Sequence, residues 1–314
     1  MSILVVGSVA FDSIETPSGK AERCLGGAAT HFALAASYFT DVRVIAVVGE
    51  DFTAEHEAVL TRRGIDTRGI EHASGKSFAW SGSYMTNLNE AKTLNTELNV
   101  FQSFKPRIPA EYQDSDYLFL ANIDPVLQAE VRAKMPAAKL VCGDTMNFWI
   151  NGQPDNLARV LKGLDALLIN DGEANLLARD PNLVRAAEKI LAMGPKSLIV
   201  KHGEFGATAF FSGRSFGEHC DPCRPFRAPA LPLAEVVDPT GAGDSFAGGF
   251  FGYIASQKQL TPAVFKRAMF YGGVMGSFAV ERFGTARLQQ LDPSEIEKRF
   301  ALFRELSHLE PEEA

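Results

Sequence analysis

Short apolar runs separated by helix-forming segments are the feature of this sequence that most constrains its fold. Each run is four to seven residues long and largely apolar, which is typical of a strand buried on both faces of a parallel sheet. Strand, helix and strand in succession predict parallel βαβ units. We therefore predict an α/β fold with a largely parallel central sheet. The runs are Ile3–Val9, Val42–Val48, Tyr117–Ala121, Lys139–Cys142 and Ala166–Ile169.

Charge and cysteine usage argue against several classes of protein. The 314 residues carry a net charge of −7 and show no cluster of Lys or Arg, so we expect no nucleic-acid partner. Residues 246–256 and 269–280 are the most apolar C-terminal segments, and both are shorter than the ~20 residues that a membrane span needs. The N-terminus lacks the basic flank of a signal peptide, and four scattered cysteines form no disulfide framework. We therefore expect a cytoplasmic protein without a membrane partner.

Cys220 and Cys223, with His219 beside them, suggest a metal site. A structural zinc site needs a second pair of ligands, and the sequence offers no other Cys-x-x-Cys and no His-x-x-x-His. We expect a turn between strands here.

Residues 78–104 interrupt the alternation of strands and helices. Strand-prone aromatic residues and threonines alternate there with Asn-rich turns, which predicts a small antiparallel insert. Such an insert is too small to bury both of its faces by itself, so Trp80, Tyr84 and Phe101 should cover either a ligand pocket or a second subunit. We expect a single domain, residues 1–314, with the insert formed by about residues 13–20 and 76–104.

Polar side chains follow the predicted strands at their carboxyl ends. These ends meet at one edge of a parallel sheet, where open α/β folds bind ligands, so three successive polar endings favour a binding site. The first run is followed by Asp12, which could equally open a turn. The other endings are Asn122, Asp144 with Asn147, and Asn170.

A turn followed by a small-residue helix, within residues 236–251, is the strongest candidate for a site. Gly241, Ala242 and Gly243 lie at the predicted helix N-terminus, where free N–H groups and the helix dipole favour a phosphate. Asp244 in the same turn could take the proton of a hydroxyl held next to that phosphate. The alternative is a tight turn in which Asp244 only caps the helix.

The string from Asp238 to Asp244, Asp-Pro-Thr-Gly-Ala-Gly-Asp, is followed by Ser-Phe-Ala-Gly-Gly-Phe. It resembles the C-terminal signature of the ribokinase-like (PfkB) family of carbohydrate and nucleoside kinases. The pair Gly26-Gly27, followed by a small-residue helix, resembles the N-terminal signature of that family. The family commonly has Asn where this chain has His31, a departure that bears on the substrate. The resemblance spans nearly the whole chain, with the motifs in family order.

The resemblance implies a three-layer αβα fold with a small β lid over the acceptor, which often also joins two subunits. It also implies ATP and Mg²⁺ as cofactors and leaves room for a monovalent cation. By resemblance, Asp244 is the catalytic base and the backbone of Gly241, Ala242 and Gly243 forms the anion hole. The residues implied for the acceptor are Asp12, Gly26, Gly27, His31, Asn122, Asp144 and Asn147. Those implied for the nucleotide are Asn170, Glu173, Lys201, Gly203, Gly206, Thr240, Gly241 and Gly243.

Several of these residues have structural alternatives. Asn170 and Glu173 resemble the Asn-x-x-Glu motif of the family, associated with magnesium and phosphate, and Glu173 would act through water because Mg²⁺ keeps several of its waters. The same spacing is nearly that of a capping box. Gly26 and Gly27 could serve only close helix packing, and His31 is either a substrate contact or a hydrogen-bonded helix residue.

We therefore expect an ATP-dependent kinase that phosphorylates a hydroxyl of a small sugar and is a homodimer through its lid. A nucleoside, such as adenosine, is the alternative acceptor. An inactive relative that keeps the fold is a further alternative, against which the intact Asp244 and its Gly-Ala-Gly turn argue. A nucleotide-dependent oxidoreductase would need Gly-x-Gly-x-x-Gly after the first strand, and Gly7-Ser8-Val9-Ala10 does not supply it.

Overall fold

The structure is a computed structural model that describes residues 1–85, 87–212 and 225–307. A nine-stranded sheet and a four-stranded sheet organise these residues. The turn expected at Cys220 and Cys223 lies outside the described residues.

The larger sheet is mostly parallel, as predicted. Its strand order is β13-β12-β11-β10-β9-β8-β1-β4-β5, and only the pairs β11–β12 and β12–β13 are antiparallel. In the sheet, β1 lies between β4 on one side and β8 on the other, so the strand order reverses at β1. Such a reversal creates the crevice where open α/β sheets bind ligands. The strands are β1 (Ser2–Val6), β4 (Asp41–Val48), β5 (Asp66–His72), β8 (Tyr117–Leu120), β9 (Leu140–Gly143), β10 (Ala166–Asn170), β11 (Ser197–Lys201), β12 (Ala207–Phe211) and β13 (Phe226–Ala228).

Helices cover both faces of this sheet. Along β1, Ile3 and Val5 belong to one hydrophobic core while Leu4 and Val6 belong to the other, because successive side chains of a strand point to opposite faces. The first core packs against α1 (Ala28–Ala36), α2 (Ala54–Thr61), α8 (Ala242–Ser256), α9 (Pro262–Ala279) and α10 (Pro293–Ser307). The second packs against α3 (Pro125–Lys134), α4 (Asn147–Gly152), α5 (Pro154–Leu161), α6 (Asp171–Ala178) and α7 (Leu183–Ala192). The predicted α/β class with three layers is confirmed.

The smaller sheet is the predicted β insert. Its order is β3-β2-β6-β7, and both outer pairs are antiparallel while β2 and β6 run parallel. The strands are β2 (Ala10–Thr16), β3 (Gly19–Gly26), β6 (Phe78–Ser83) and β7 (Lys92–Glu97).

The first strand ends earlier than predicted, at Val6 instead of Val9. Residues after it connect to α1: the Ser8 side-chain oxygen accepts a hydrogen bond from the Ala28 N–H at 3.0 Å, and its carbonyl accepts one from the Ala29 N–H at 3.0 Å. These acceptors satisfy orphan donors of the first helical turn. The smaller sheet correspondingly begins at Ala10, and Asp12 lies within β2 instead of directly after β1.

Among the described residues, no helix has the length and apolarity required to cross a membrane.

Candidate active site

Four neighbouring strands bring polar side chains to one edge of the larger sheet. Asn122 follows β8, Asp144 follows β9, Asn170 ends β10 and Lys201 ends β11. Asn170 and Lys201 are paired in register across the two parallel strands. The parallel order therefore brings together residues that are up to 79 positions apart in the sequence (122 to 201).

Lys201 shares this edge with three carboxylates. Its Nζ lies 3.4 Å from Oδ2 of Asp144. The Lys201 side chain is only 15% exposed and that of Asp144 only 8%. Glu173 and Asp244 are close enough that both respond electrostatically to Asp144 and Lys201. Within the part of the chain that the structure describes, the buried ammonium group of Lys201 thus faces an excess of negative charge.

Burial, followed by the excess of negative charge, shifts the pKa values of carboxyl groups in this cluster. Burial, followed by the charge of Asp144, raises the pKa of Asp244 to about 7 and that of Glu173 to about 7. Burial opposes the charge of Lys201, but Asp144, Glu173 and Asp244 together raise its pKa. A carboxylate with a pKa near the working pH is suited to accept a proton.

The N-terminus of α8 lies directly beside Lys201. Gly241 is the N-cap residue, with a left-handed φ of +73°, a conformation that favours glycine. A Cβ on Gly243 would lie 3.0 Å from Nζ of Lys201. The N–H of Ala242 donates to the Pro239 carbonyl at 3.2 Å. Asp244 stands half-buried in the same first turn, so the possible base, the lysine and the helix N-terminus share one small volume.

Asn170 and Glu173 form a complete capping box at the start of α6. The Asn170 side chain accepts from the Glu173 N–H at 2.7 Å, and Oε2 of Glu173 accepts from the Asn170 N–H at 2.8 Å. The capping box that this spacing suggested is therefore present. It does not compete with a role in the site, because Glu173 is buried beside Asp144 and Lys201.

Asp12, which is predicted to hold the acceptor, lies over the glycine pair. A Cβ on Gly26 would lie 1.9 Å from Oδ2 of Asp12, and the Gly27 N–H donates to the same oxygen at 3.4 Å. Burial, and to a smaller extent Asp238 and Asp244, raise the pKa of Asp12 to about 7. Gly27 is the N-cap of α1 with φ +90°, so the pair serves the turn and leaves room for the carboxylate.

The side chain of His31 is buried against the turn that begins α8. It is 1% exposed, and neither ring nitrogen has a hydrogen-bond partner within the described part of the chain. The ring of His31 is thus not hydrogen-bonded to the described residues, which removes one of the two alternatives for this residue. The other alternative, a contact with the substrate, stays a prediction.

The two asparagines predicted for the acceptor occupy different environments. Oδ1 of Asn122 accepts a hydrogen bond from the Trp149 indole N–H at 3.0 Å. Asn147 is exposed at the first position of α4. Asn122 is therefore held in place by Trp149, which the sequence analysis did not single out.

The loop after β11 contains Gly203 and Gly206, the two glycines predicted to lie along the nucleotide. Gly203 has φ +57° and Gly206 φ +93°, and the His202 N–H donates to the Gly206 carbonyl at 2.8 Å. A Cβ on Gly203 would lie 1.7 Å from Oδ1 of Asn89. Asn89 belongs to the connection between β6 and β7, so the smaller sheet reaches across the crevice onto this loop.

A family model for pfkB family carbohydrate kinases matches residues 2–290 of the chain. The chain belongs to the PfkB family of carbohydrate kinases. It is accordingly a phosphotransferase whose acceptor is a hydroxyl group.

Named relatives of this PfkB kinase include nucleoside kinases. Cytidine kinase from Thermococcus kodakarensis is 26% identical over 256 residues, covering 80% of this chain and 87% of that protein. Adenosine kinase from Schizophyllum commune is 27% identical over 268 residues, covering 76% of this chain and 75% of that protein. Among solved structures, an Escherichia coli protein provisionally named ribokinase II, in complex with ATP and Mg²⁺, superposes with a TM-score of 0.74. Its identity is 20%, and the superposition covers 96% of this chain and 99% of that chain.

The PfkB signature turn is held by hydrogen bonds that the sequence analysis did not predict. Asp238 is fully buried, and its two oxygens accept from the N–H groups of Thr240 and Gly284, both at 2.8 Å. The Thr240 hydroxyl donates to the Tyr84 hydroxyl oxygen at 3.3 Å, and the Thr16 hydroxyl donates to the Val237 carbonyl at 2.8 Å. An Asp two residues before Thr240 is the local signature of an Asx turn. The contacts from the smaller sheet have no such signal in the sequence.

The residues of this kinase fit ATP and Mg²⁺. At Gly203, Gly241 and Gly243 the space that a Cβ would need is already taken by Asn89, by the His31 ring and by Nζ of Lys201. Glycine therefore leaves bare backbone at these positions, and bare backbone at a helix N-terminus such as that of α8 can bind a phosphate. Across residues 1–85, 87–212 and 225–307, no three His, Cys, Asp or Glu side chains converge to hold a metal ion directly. Asp144 and Glu173 nevertheless supply hard oxygen donors whose raised pKa values a cation would lower. That donor set suits Mg²⁺ held through its waters.

Proposed function

We propose that this kinase transfers the γ-phosphoryl group of ATP to a hydroxyl on the sugar unit of a nucleoside. The observation that carries the proposal is the position of Asp244. Its carboxyl group, with a pKa raised to about 7 by burial and by Asp144, stands in the same helical turn as Gly241 and Gly243, beside Lys201.

In this proposal, different residues of the chain have different roles in the reaction. Asp244 takes the proton of the acceptor hydroxyl, so that the oxygen can attack the phosphorus. The Gly241 and Gly243 backbone and Lys201 stabilise the negative charge of the transferring group. Asp12, Gly26 and Gly27 hold the sugar, with Asn122, Asp144 and Asn147 at the neighbouring strand ends, and Gly203, Gly206 and Thr240 line the nucleotide side. Bound ATP would supply the phosphoryl group and leave as ADP when the bond between the γ-phosphorus and its bridging oxygen breaks. Glu173, with Asn170 beside it, would hold Mg²⁺ through water, and the cation would neutralise phosphate charge.

The choice of a nucleoside rests on the relatives. Those that share at least three quarters of their length with this chain include a cytidine kinase and an adenosine kinase. The free small sugar expected from the sequence is the second candidate, because it offers Asp244 the same kind of hydroxyl. The monovalent cation and the cytoplasmic location stay predictions.

An ADP-release assay over cytidine, adenosine, inosine, ribose and fructose tests the acceptor. We expect kcat/KM for at least one nucleoside to exceed that of both sugars by about tenfold or more, equivalent to ~1.4 kcal/mol of transition-state binding. Asp244→Asn protein serves as the blank for contaminating activity. Preference for a free sugar would refute the nucleoside assignment, and no turnover of any hydroxyl compound would refute the phosphoryl-transfer proposal.

The role of Glu173 is tested by its amide variant. Glu173→Gln retains a capping residue but removes the charge that orients hydrated Mg²⁺. We expect the Mg²⁺ concentration for half-maximal rate to rise about tenfold, with a smaller change in acceptor KM, because the lost interaction is with the cation.

A second capping residue provides the control. Asn182 caps α7 through its own side chain, which accepts from the Arg185 N–H at 3.1 Å. Asn182→Ala should cost ~0.5–2 kcal/mol of stability and leave the Mg²⁺ titration unaltered. If Glu173→Gln behaves like Asn182→Ala in both measurements, Glu173 is only a capping residue.

A further inference from the structure

The imidazole of His31 and the backbone of Gly241 are in direct contact. His31 lies on α1, every residue of which is buried, and Gly241 is the N-cap of α8. A Cβ on Gly241 would lie 2.4 Å from each of three ring carbons, Cγ, Cδ2 and Cε1. Equal distances to atoms spread around a five-membered ring place that position above the face of the ring. The flat imidazole thus occupies the space where any other residue at 241 would have its side chain.

The position of the ring determines which backbone the turn can adopt. Gly241 holds φ +73°, a left-handed conformation that costs other residues roughly 1–2 kcal/mol. Because the ring blocks one side of its Cα, the peptide planes on either side of Gly241 have little freedom to rotate. Those planes carry the N–H groups of Gly241 and Ala242. The Ala242 N–H donates to the Pro239 carbonyl, and the Gly241 N–H belongs to the anion hole of the proposed function.

Two observations argue against direct contact between His31 and the acceptor. The side chain is 1% exposed, and its ring face is already occupied by Gly241. Burial also lowers the pKa of His31 to about 4, so the ring is neutral at physiological pH. A neutral ring is what this location requires, because an imidazolium would repel the positive end of the α8 dipole.

We propose that His31 is a positioning residue. Its ring face fixes the conformation of Gly241 and thereby orients the N–H groups of the anion hole, which lie at the N-terminus of α8. The catalytic part of this role rests on the proposed function. The structural part, the immobilisation of residues 240–245, does not.

Three substitutions of His31 distinguish the contribution of the ring face from that of the ring nitrogens. His31→Phe keeps a flat aromatic face without nitrogens, His31→Asn keeps a polar group without the face, and His31→Ala removes both. We expect kcat to fall about 10–100-fold in the Asn and Ala variants, less than the ~10²–10³-fold cost of deleting an oxyanion donor. Acceptor KM should stay within about threefold of wild type in both, because the sugar contacts are untouched. His31→Phe should lose far less kcat than either.

Amide hydrogen exchange provides a measurement that is independent of activity. In His31→Asn and His31→Ala, the amides of residues 240–245 should exchange at least about tenfold faster than in wild type. Those of α9 should be unaffected. If exchange accelerates but no wild-type kinase activity exists, the proposed function fails while the positioning role stands.

A double-mutant cycle covers the case in which His31→Phe overpacks and unfolds. Gly241→Ala alone places a methyl group into the ring, so its kcat should collapse. Adding His31→Ala removes the ring, and the double variant should be no worse than Gly241→Ala, although each single change is harmful. Such strong non-additivity is the signature of direct contact. Additive losses would overturn the proposal.

Other outcomes also overturn it. A raised acceptor KM with wild-type kcat in His31→Asn would make His31 a substrate contact. Equal losses in His31→Phe and His31→Ala, with full activity in His31→Asn, would show that the nitrogens matter and the ring face does not. Wild-type exchange rates at residues 240–245 in His31→Ala would show that the ring does not fix the turn.

Discussion

Asp244→Asn is expected to lower kcat about 10²–10⁴-fold while leaving ATP affinity nearly unchanged. A well-placed general base contributes that range, which corresponds to roughly 3–5 kcal/mol of barrier. Asn keeps the size of the side chain but cannot accept the hydroxyl proton. The measurements are steady-state kinetics with the preferred acceptor and calorimetric titration with ATP. Asp124→Asn is the matched control, because Asp124 caps α3 by accepting from the Val126 N–H at 2.8 Å and Asn caps equally well.

The same residue should set the pH dependence of the rate. The base acts when deprotonated, and burial followed by Asp144 raises the pKa of Asp244 to about 7. We therefore expect kcat/KM to fall as pH drops below about 7. The residual activity of Asp244→Asn should not show this fall in kcat/KM at low pH. Wild-type turnover in the variant, or a rate that is flat between pH 5 and 8, would remove Asp244 from the role of base.

The folding stability of the wild-type protein should depend on pH in the opposite sense to the rate, and should decrease as the pH rises. A carboxyl group whose pKa is raised on folding contributes stability below its unfolded pKa, and that contribution is lost as pH rises through the folded value of about 7. Wild type therefore holds an unfavourable buried charge at pH 8. We expect Asp244→Asn to melt at a higher temperature than wild type at pH 8, with the difference shrinking towards pH 4.

Replacing the outer part of the lid, residues 85–97, by about eight Gly and Ser residues is expected to raise acceptor KM about 10–100-fold, the loss of ~1.4–2.8 kcal/mol of binding. This segment contains β7, all six residues of which are exposed, so its removal takes nothing from the core. It also contains Asn89, which lies over Gly203. Closure of such a segment over substrate excludes water, so ATP hydrolysis without acceptor should increase.

The boundaries of this replacement follow from the aromatic residues. Tyr84 is 8% exposed and its hydroxyl accepts from Thr240. Phe101 stacks on Phe78 at 5.3 Å and on Phe104 at 5.6 Å. These side chains contact other residues of this chain and must be spared. That they also cover a ligand pocket or a second subunit stays a prediction. An unchanged acceptor KM in the variant would refute the covering role.

The homodimer prediction now rests on different residues. The exposed apolar side chains of the lid include Leu94 and Leu98, which are 56% and 44% exposed. They lie on or next to β7, whose outer edge has no partner among the strands that the structure describes. A second copy of the chain is the occupant we expect, because an unprotected edge strand favours pairing. Leu94→Asp with Leu98→Asp should give a monomer by light scattering, without the rise in acceptor KM caused by the replacement. A wild-type protein that is already monomeric would contradict the dimer.

The strand series and the PfkB signatures were predictable because both are local. A buried parallel strand is a run of neighbouring apolar residues, and a turn that starts a helix is a few residues of fixed type, so Ile3, Val44 and Gly241 can each be interpreted from their own surroundings. Boundaries were less predictable: Ser8 continues an apolar run in the sequence but serves as an acceptor for α1. Its partner, Ala28, is 20 residues away.

By itself, the sequence determined the α/β class, the family resemblance and the chemical types available at the site. Only the tertiary structure decided that Asp144, Glu173, Lys201 and Asp244 share one charge cluster. It also decided that the His31 ring lies against Gly241 and that Tyr84 contacts Thr240, a residue 156 positions away. The physical reason is that the pKa of a carboxyl group and the freedom of a backbone turn depend on desolvation and contact. Both are set by strand register and helix packing between distant segments, which leave no pattern in any short stretch of sequence.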